Sequence, residues 1–226
     1  MSRLFDRLEV WYDGIARTGA ENMAVDQLLM EGVDTSPVLR VYHWSEPTVS
    51  FGYFQSLEEA MRVFPDSGVR YMRRWTGGGV VDHRTDVTYT LVIPRADPLA
   101  NMRGALSYCK IHEVLSRVLN GLGADVALTP DDLGNGDVAC FENPVAYDIT
   151  DAAGNKVAGA GQRRSKYGLL HQGSVVAEVE ASNLYDQLIS SLASEHDDYA
   201  LKDDFLLRAS GLAVKRYASE PWLRKR

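Results

Sequence analysis

Apolar residues recur along this chain with two periods, one helical and one extended. Leu8–Tyr12 opens with an extended candidate. Thr18 and Glu21 then stand at capping-box spacing, where a hydroxyl and a carboxylate satisfy the orphan N–H groups of a first helical turn. A helix is expected from about Gly19 to Glu31, with Ala24, Val25, Leu28 and Leu29 as its apolar stripe. Val38–Trp44 reads as a strand, Pro47 interrupts it, and Thr48–Tyr53 resumes extended chain. A short helix is expected near Leu57–Phe64 and a strand at Val69–Arg73. Val87, Tyr89, Leu91 and Ile93 alternate with Thr88, Thr90 and Val92 up to Pro94, the period of a strand. The longest helical stripe covers Leu106–Leu119 and stops at Asn120-Gly121. Ala146–Thr150 and Lys156–Ala160 flank Asp151–Asn155 as a hairpin. Gly168–Val176 is a further strand, Leu184–Leu192 a helix, and Leu201–Ser210 a short helix in a tail that ends basic.

Strands outnumber helices, hairpins are evident, and there is no regular strand–helix alternation. The expected class is α+β, a mostly antiparallel or mixed sheet packed by helices. With 226 residues and 45% hydrophobic content, the chain suffices for one domain, 1–226, with a short tail over about 197–226 and no separate accessory domain.

A formal charge of −7 argues against a general nucleic-acid binder, which needs a basic face for phosphates. The two cysteines, Cys109 and Cys140, make no disulfide framework, which fits a reducing compartment. The first residues carry no long apolar core, and no apolar run is long enough to span a bilayer, so a cytoplasmic location is expected, with no membrane partner.

Four stretches could carry chemistry. In Arg73-Arg74-Trp75-Thr76-Gly77-Gly78-Gly79, successive glycines after a strand let the backbone approach a ligand, and two arginines add forked donors. The plain alternative is a hairpin turn with surface arginines. The spacing matches neither a P-loop nor a Rossmann fingerprint. In Lys156-Val157-Ala158-Gly159-Ala160-Gly161, a lysine opens a strand of very small residues. A lysine there could polarise an acyl carbonyl, and small side chains admit close packing over the strand. The alternative is a surface lysine on a hairpin. Cys140, in a loop ahead of that hairpin, is a candidate nucleophile if cations such as Lys156, Arg73 or His171 lower its pKa, or else a small buried hydrophobe. Cys109 lies in the helical stripe and is assigned to the core. His171-Gln172-Gly173-Ser174 is either a polar site strand or a half-exposed alternating one. The five histidines lack ligand spacing, so no metal is expected. No Ser/His/Asp set follows from residue order.

In order along the chain, these stretches resemble the biotin/lipoate protein ligase superfamily, in its lipoate and octanoate branch. Glu21-Asn22-Met23-Ala24-Val25-Asp26 is similar to its first-helix signature. Leu39–Trp44 with Pro47–Gln55 is similar to its next two strands, and Arg73–His83 to its Arg-Arg-x-Ser/Thr-Gly-Gly loop. Lys156–Arg164 followed by Leu170–Ser174 resembles its lysine hairpin. The similarity spans about residues 8–180.

The resemblance implies a narrow tunnel for an eight-carbon acyl chain, with Lys156 at the acyl carbonyl. Arg73, Arg74, Thr76, Gly77, Gly78, Gly79, His83, Gly159, Ala160 and His171 would be its substrate-binding residues. The acceptor would be a lysine of a lipoyl domain or of the glycine-cleavage carrier protein. One branch moves octanoyl from acyl carrier protein through a cysteine in a Cys-Phe-x-x-Pro segment, where Cys140 stands here. That reading is favoured, with no tightly bound cofactor. The alternative is a ligase that uses ATP and Mg to form lipoyl-adenylate. Gly77-Gly78-Gly79 is nearer the ligase pattern. A third reading is an idle member that binds lipoyl domains, and the motifs fit lipoate better than biotin.

Overall fold

The structure, a computed structural model, describes residues 3–130 and 145–225. In chain order, β1 (Phe5–Arg17) leads into α1 (Gly19–Gly32), then β2 (Val38–Trp44) and β3 (Thr48–Phe51). Next come α2 (Leu57–Val63), β4 (Arg70–Arg73), β5 (Val81–Asp82) and β6 (Val87–Pro94). The short α3 (Pro98–Asn101) precedes the long α4 (Gly104–Gly121) and β7 (Val126–Leu128). The second half holds β8 (Ile149–Asp151), β9 (Lys156–Arg164), β10 (Gly168–Val175), α5 (Ala181–Leu192) and β11 (Ala193–Asp198). It closes with α6 (Phe205–Leu212), a π-helical turn at Ala213–Tyr217, and α7 (Glu220–Leu223).

The α+β expectation holds. Eight strands form one sheet in the order β11-β1-β2-β6-β10-β9-β8-β7, and β4-β3-β5 form a second, smaller sheet. The large sheet is mixed: β11, β1 and β2 pair in parallel, while β2, β6, β10 and β9 pair antiparallel. Among the described residues no helix is long and apolar enough to cross a membrane.

Helices cover both faces of the large sheet, and residue parity decides which face each side chain meets. Leu39, Leu91, Ile93 and Leu169 face a core built with α4 and α5. Val38, Val92 and Leu170, one residue over, face α1 and α6. Every residue of β10 is buried, so its polar run is not a half-exposed alternation. Thr88 and Thr90 of β6 are buried too.

Helix α1 starts where the capping box places it, with both reciprocal bonds present between Thr18 and Glu21. It is buried nearly all round, polar residues included. Asn22 and Asp26 face Arg40 of β2, and all three are fully buried. Arg40 bonds Asp26 Oδ1, Asp13 Oδ2 and Asn22 Oδ1, each at 2.7 Å. Asp26 Oδ2 accepts from Thr90 Oγ1 at 2.7 Å and Gln172 Nε2 at 2.6 Å. One buried cation thus ties α1 to four strands of the large sheet. A charge so buried is tolerable only when its donors are satisfied.

Several boundaries differ from the sequence expectation. The hairpin at Asp151–Asn155 forms, but its first arm begins at Ile149, because Ala146 and Tyr147 make a turn with Tyr147 at φ 66°. The helix expected at Leu201–Ser210 starts only at Phe205. Cys109, assigned to the core, is half-buried on α4 with Sγ 3.7 Å from Glu113 Oε1.

Replacing Arg40 by Met removes the counter-charge of buried Asp26 and leaves Asp13 with Arg17 alone. Arg40→Met should lower the unfolding free energy by about 3–5 kcal/mol in urea titration. A loss under about 1 kcal/mol would show the network to be dispensable.

Candidate active site

A cleft of about 480 Å³, its open mouth included, lies between the α1 face of the large sheet and the small sheet. Met23, Trp44, Val80 and Val81 give it apolar walls. Gly78 and Gly79 line one side, and Lys156, Gly159, Ala160 and Gly161 of β9 the other. The triglycine turn and the lysine hairpin, remote in sequence, therefore meet across one cavity.

Missing side chains make that meeting possible. A Cβ at Gly161 would lie 2.5 Å from Gly77 O and 2.7 Å from Thr76 Oγ1. A Cβ at Gly52 would overlap Gly78 O. Gly78 has φ +98°, which side-chain-bearing residues rarely adopt. A Cβ at Gly159 would collide with Lys156 Cε, so the glycine is the bed on which the lysine side chain lies.

Lys156 reaches Asp148 Oδ2 at 2.7 Å, and its side chain is 12% exposed. Asp148 is fully buried and also accepts from Val145 N–H at 2.8 Å and from Tyr108 Oη. Tyr108 Oη in turn accepts the Ala160 N–H at 2.9 Å. Burial holds the Tyr108 phenol well above its ordinary pKa, so it stays a donor. The ammonium is thus fixed by a carboxylate that is itself fixed by Tyr108 of α4 and by the Val145 N–H.

The arginine pair splits. Arg74 lines the cleft and donates to Gly79 O at 2.7 Å, Gly77 O at 3.2 Å and Ser50 Oγ at 2.6 Å. Burial pushes its pKa down to about 10, still charged at neutral pH. Arg73 points the other way. It donates to the carbonyls of Trp222, Leu223 and Lys225, and of Tyr53 and Gln55, clamping the C-terminal segment. Successive strand residues face opposite sides, so two adjacent arginines could not both reach the cleft.

The other expected residues also divide. Thr76 is fully buried and donates to Gln172 Oε1 at 2.7 Å, holding the turn onto β10 rather than lining the cleft. Gly77 is held by a 3.4 Å bond from its N–H to Gln162 O. His83 lines the cleft, its ring stacked on Trp44 at 4.1 Å. His171 does not line the cleft. It lies on the α4 face of β10, between Tyr89 Oη at 3.2 Å and Gln162 at 3.1 Å. Burial and the neighbouring His112 hold its pKa well below normal. Cys140 lies outside the described residues.

Residue order suggested no Ser/His/Asp set, yet the fold assembles one. Ser50 Oγ is 2.6 Å from His83 Nε2, and His83 Nδ1 is 2.8 Å from Asp86 Oδ2. Ser174 and Thr88 hydroxyls also donate to Asp86. Ser50 is fully buried and carries the Arg74 contact, so these bonds brace the turn and orient His83 rather than expose a nucleophile. Among the described residues no group of three or more His, Cys, Asp or Glu is placed to hold a metal ion.

The chain is similar to known proteins in sequence and in fold. The family model "Lipoyl protein ligase A/B catalytic domain" matches residues 18–202. An octanoyltransferase LipM of Moorella thermoacetica is 36% identical over 203 residues, 84% of this chain and 72% of that protein. A T. acidophilum protein structure with bound lipoic acid superposes with a TM-score of 0.76. It is 20% identical and covers 97% of this chain and 99% of its own. A lipoate-protein ligase A bound with ATP gives a TM-score of 0.75 at 21% identity, covering 97% and 98%. At such identities the two structures speak for the fold.

Two tests follow from these contacts. Gly161→Val should displace the triglycine turn and weaken octanoate binding at least about tenfold by titration calorimetry. Gly121→Ala, with open space around its Cβ, should leave binding intact. Equal binding in both variants would mean that the turn does not shape the cleft. The second test concerns His112, fully buried behind the site, its Nε2 without a partner among the described residues. Burial lowers its pKa to about 4. Below about pH 6.5 the unfolded chain takes up a proton that the folded one refuses, so stability falls as pH drops from about 6.5 to about 4. The contribution is about 3 kcal/mol. Urea midpoints across that range should fall less steeply in His112→Phe, and an unchanged slope would refute the assignment.

Proposed function

This chain belongs to the lipoyl protein ligase A/B catalytic family, and from that premise we propose that it attaches an octanoyl or lipoyl group to the acceptor lysine of a lipoyl domain or of the glycine-cleavage carrier protein. The observation that carries this reading is Lys156, bedded on Gly159, pinned by Asp148, and facing Gly78 and Gly79 across an apolar-walled cleft.

The chemistry follows from the arrangement. An acyl chain lies against Met23, Trp44 and Val80, which removes its apolar surface from water. Its carbonyl sits by Lys156, whose ammonium stabilises the negative charge that develops on oxygen during attack. The acceptor lysine, as free amine, attacks the carbonyl carbon. A C–N bond forms, the bond to the departing group (the Cys140 thiolate in the transferase form) breaks, and the amine proton passes to that group.

The finer question is the acyl source. We favour octanoyl transfer from acyl carrier protein, with Cys140 forming the intermediate thioester and no tightly bound cofactor. Two facts support this. The octanoyltransferase relative is 36% identical over most of the chain. Arg74, the cleft's forked cation, is also committed internally to Ser50, Gly77 and Gly79, engaging donors that a triphosphate would need. The ATP-dependent reading, in which Lys156 and the glycine turn would hold the phosphates of ATP with Mg, is the second candidate because of the shared fold.

The test is intact-mass analysis of a lipoyl domain offered octanoyl carrier protein in one reaction and lipoate with ATP and Mg in another. Octanoyl addition in the first, lost in Cys140→Ser and reduced at least about a hundredfold in Lys156→Ala, is the expected result. Addition only in the second, with pyrophosphate released, would overturn the transferase form. No addition in either would overturn the enzyme reading.

A further inference from the structure

Past the triglycine turn, three cations crowd together. Arg163 lies over the rings of Trp75 at 4.3 Å and Tyr53 at 5.2 Å. Arg216 lies over Trp222 at 4.1 Å and Trp75 at 5.5 Å. Lys225 lies over Tyr53 at 4.0 Å and also contacts its hydroxyl. Their combined charge pulls the Tyr53 phenol below its ordinary pKa, chiefly through the Lys225 bond, and burial, with a smaller contribution from Arg216, lowers the pKa of Arg163.

Among the described residues none of these three has a carboxylate within ion-pair distance. Arg163 donates to Trp75 O and Arg216 to Gln27 Oε1. Elsewhere Arg7, Arg84, Arg208 and Arg224 all sit on carboxylates. Aromatic faces reduce the cost of assembling like charges but do not neutralise them. At the patch's edge Phe54 is 88% exposed, its ring edge-on to Tyr53. Aromatic and arginine side chains without an ion-pair partner are the composition of a docking surface.

The patch adjoins the cleft. Gly159, Gly161 and Arg163 share one face of β9, and the triglycine turn crosses over Gly161. Arg163 stands two residues, about 7 Å, beyond the glycine that lines the cleft.

We propose that Arg163, Arg216 and Lys225, with Phe54 beside them, dock the acceptor protein through a face of Asp and Glu side chains flanking its target lysine. The inference rests on the acyl-transfer reading but not on the acyl donor, because an acceptor must dock whichever donor is used. In a protein of net charge −7 the overall field repels an acidic partner, and a cationic patch beside the cleft offers such a partner a matching orientation.

The test compares two acceptors, an intact lipoyl domain and a short lysine peptide, in Arg163→Glu and Arg216→Glu. Arg163→Gln and Arg216→Gln are milder forms in case reversal disturbs folding. KM for the domain should rise about tenfold in the Glu variants and about threefold in the Gln variants, with kcat unchanged and the peptide used as well as by the wild type. For the wild type, KM for the domain should rise between about 50 and about 300 mM salt, and this dependence should flatten in the variants. Unaltered KM for the domain in the folded Gln variants overturns the docking role, with acyl transfer untouched. Equal losses on domain and peptide overturn it too, since the patch would then only support the cleft. An effect confined to the acyl carrier donor assigns the surface to the wrong partner. If the wild type acylates neither acceptor from any donor, the acyl-transfer reading fails and takes this one with it.

Discussion

Arg40 places a full positive charge in the middle of the molecule, and the arrangement of the site descends from how that charge is satisfied. Its guanidinium is shared by Asp13 of β1 and by Asn22 and Asp26 of α1. Asp26 passes the constraint to Gln172 of β10, whose amide oxygen accepts from Thr76 beside the triglycine turn. The turn's position over β9 is therefore linked to the seating of the first helix. A purely apolar interface would permit small slides of α1, whereas directional bonds to a buried cation do not.

On that frame, the cleft depends on side chains that are absent. Gly52 and Gly161 let three backbone segments approach more closely than any Cβ would allow, and Gly159 leaves room for the Lys156 side chain. Two consequences follow from one device. The walls come close enough to grip a thin chain, and Lys156 lies flat along its own strand instead of projecting into water. Asp148, held by Tyr108 and by the Val145 N–H, keeps the ammonium there. Preorganisation of this kind lets a single cation act on a developing oxyanion without a reorganisation cost at the moment of reaction.

The Ser50–His83–Asp86 set shows why distances alone do not assign chemistry. Its spacing would suit a nucleophile, but Ser50 is fully buried and bonded to Arg74. The same bonds serve to lock Arg74 against the turn carbonyls. Two arginines adjacent in sequence thus do different work, Arg74 bracing the turn and Arg73 capping the carbonyls of the C-terminal segment.

Local rules made much of this legible in the sequence. The capping box at Thr18 and Glu21 fixed where the first helix begins, and the glycine spacing at 77–79 and 159–161 flagged close approach, because both signals act between near neighbours. The sequence also placed Lys156 at the start of its strand. It could not show that His171 faces α4 while Gln172 faces the cleft, because that depends on which helix covers which side of the sheet. Nor could it show that Asp148, Tyr108, Ser50 and Asp86 belong to the site, or that Arg163, Arg216 and Lys225 converge. Those partners are brought together by strand register and helix packing, and long-range contacts of that kind leave no periodic trace along the chain.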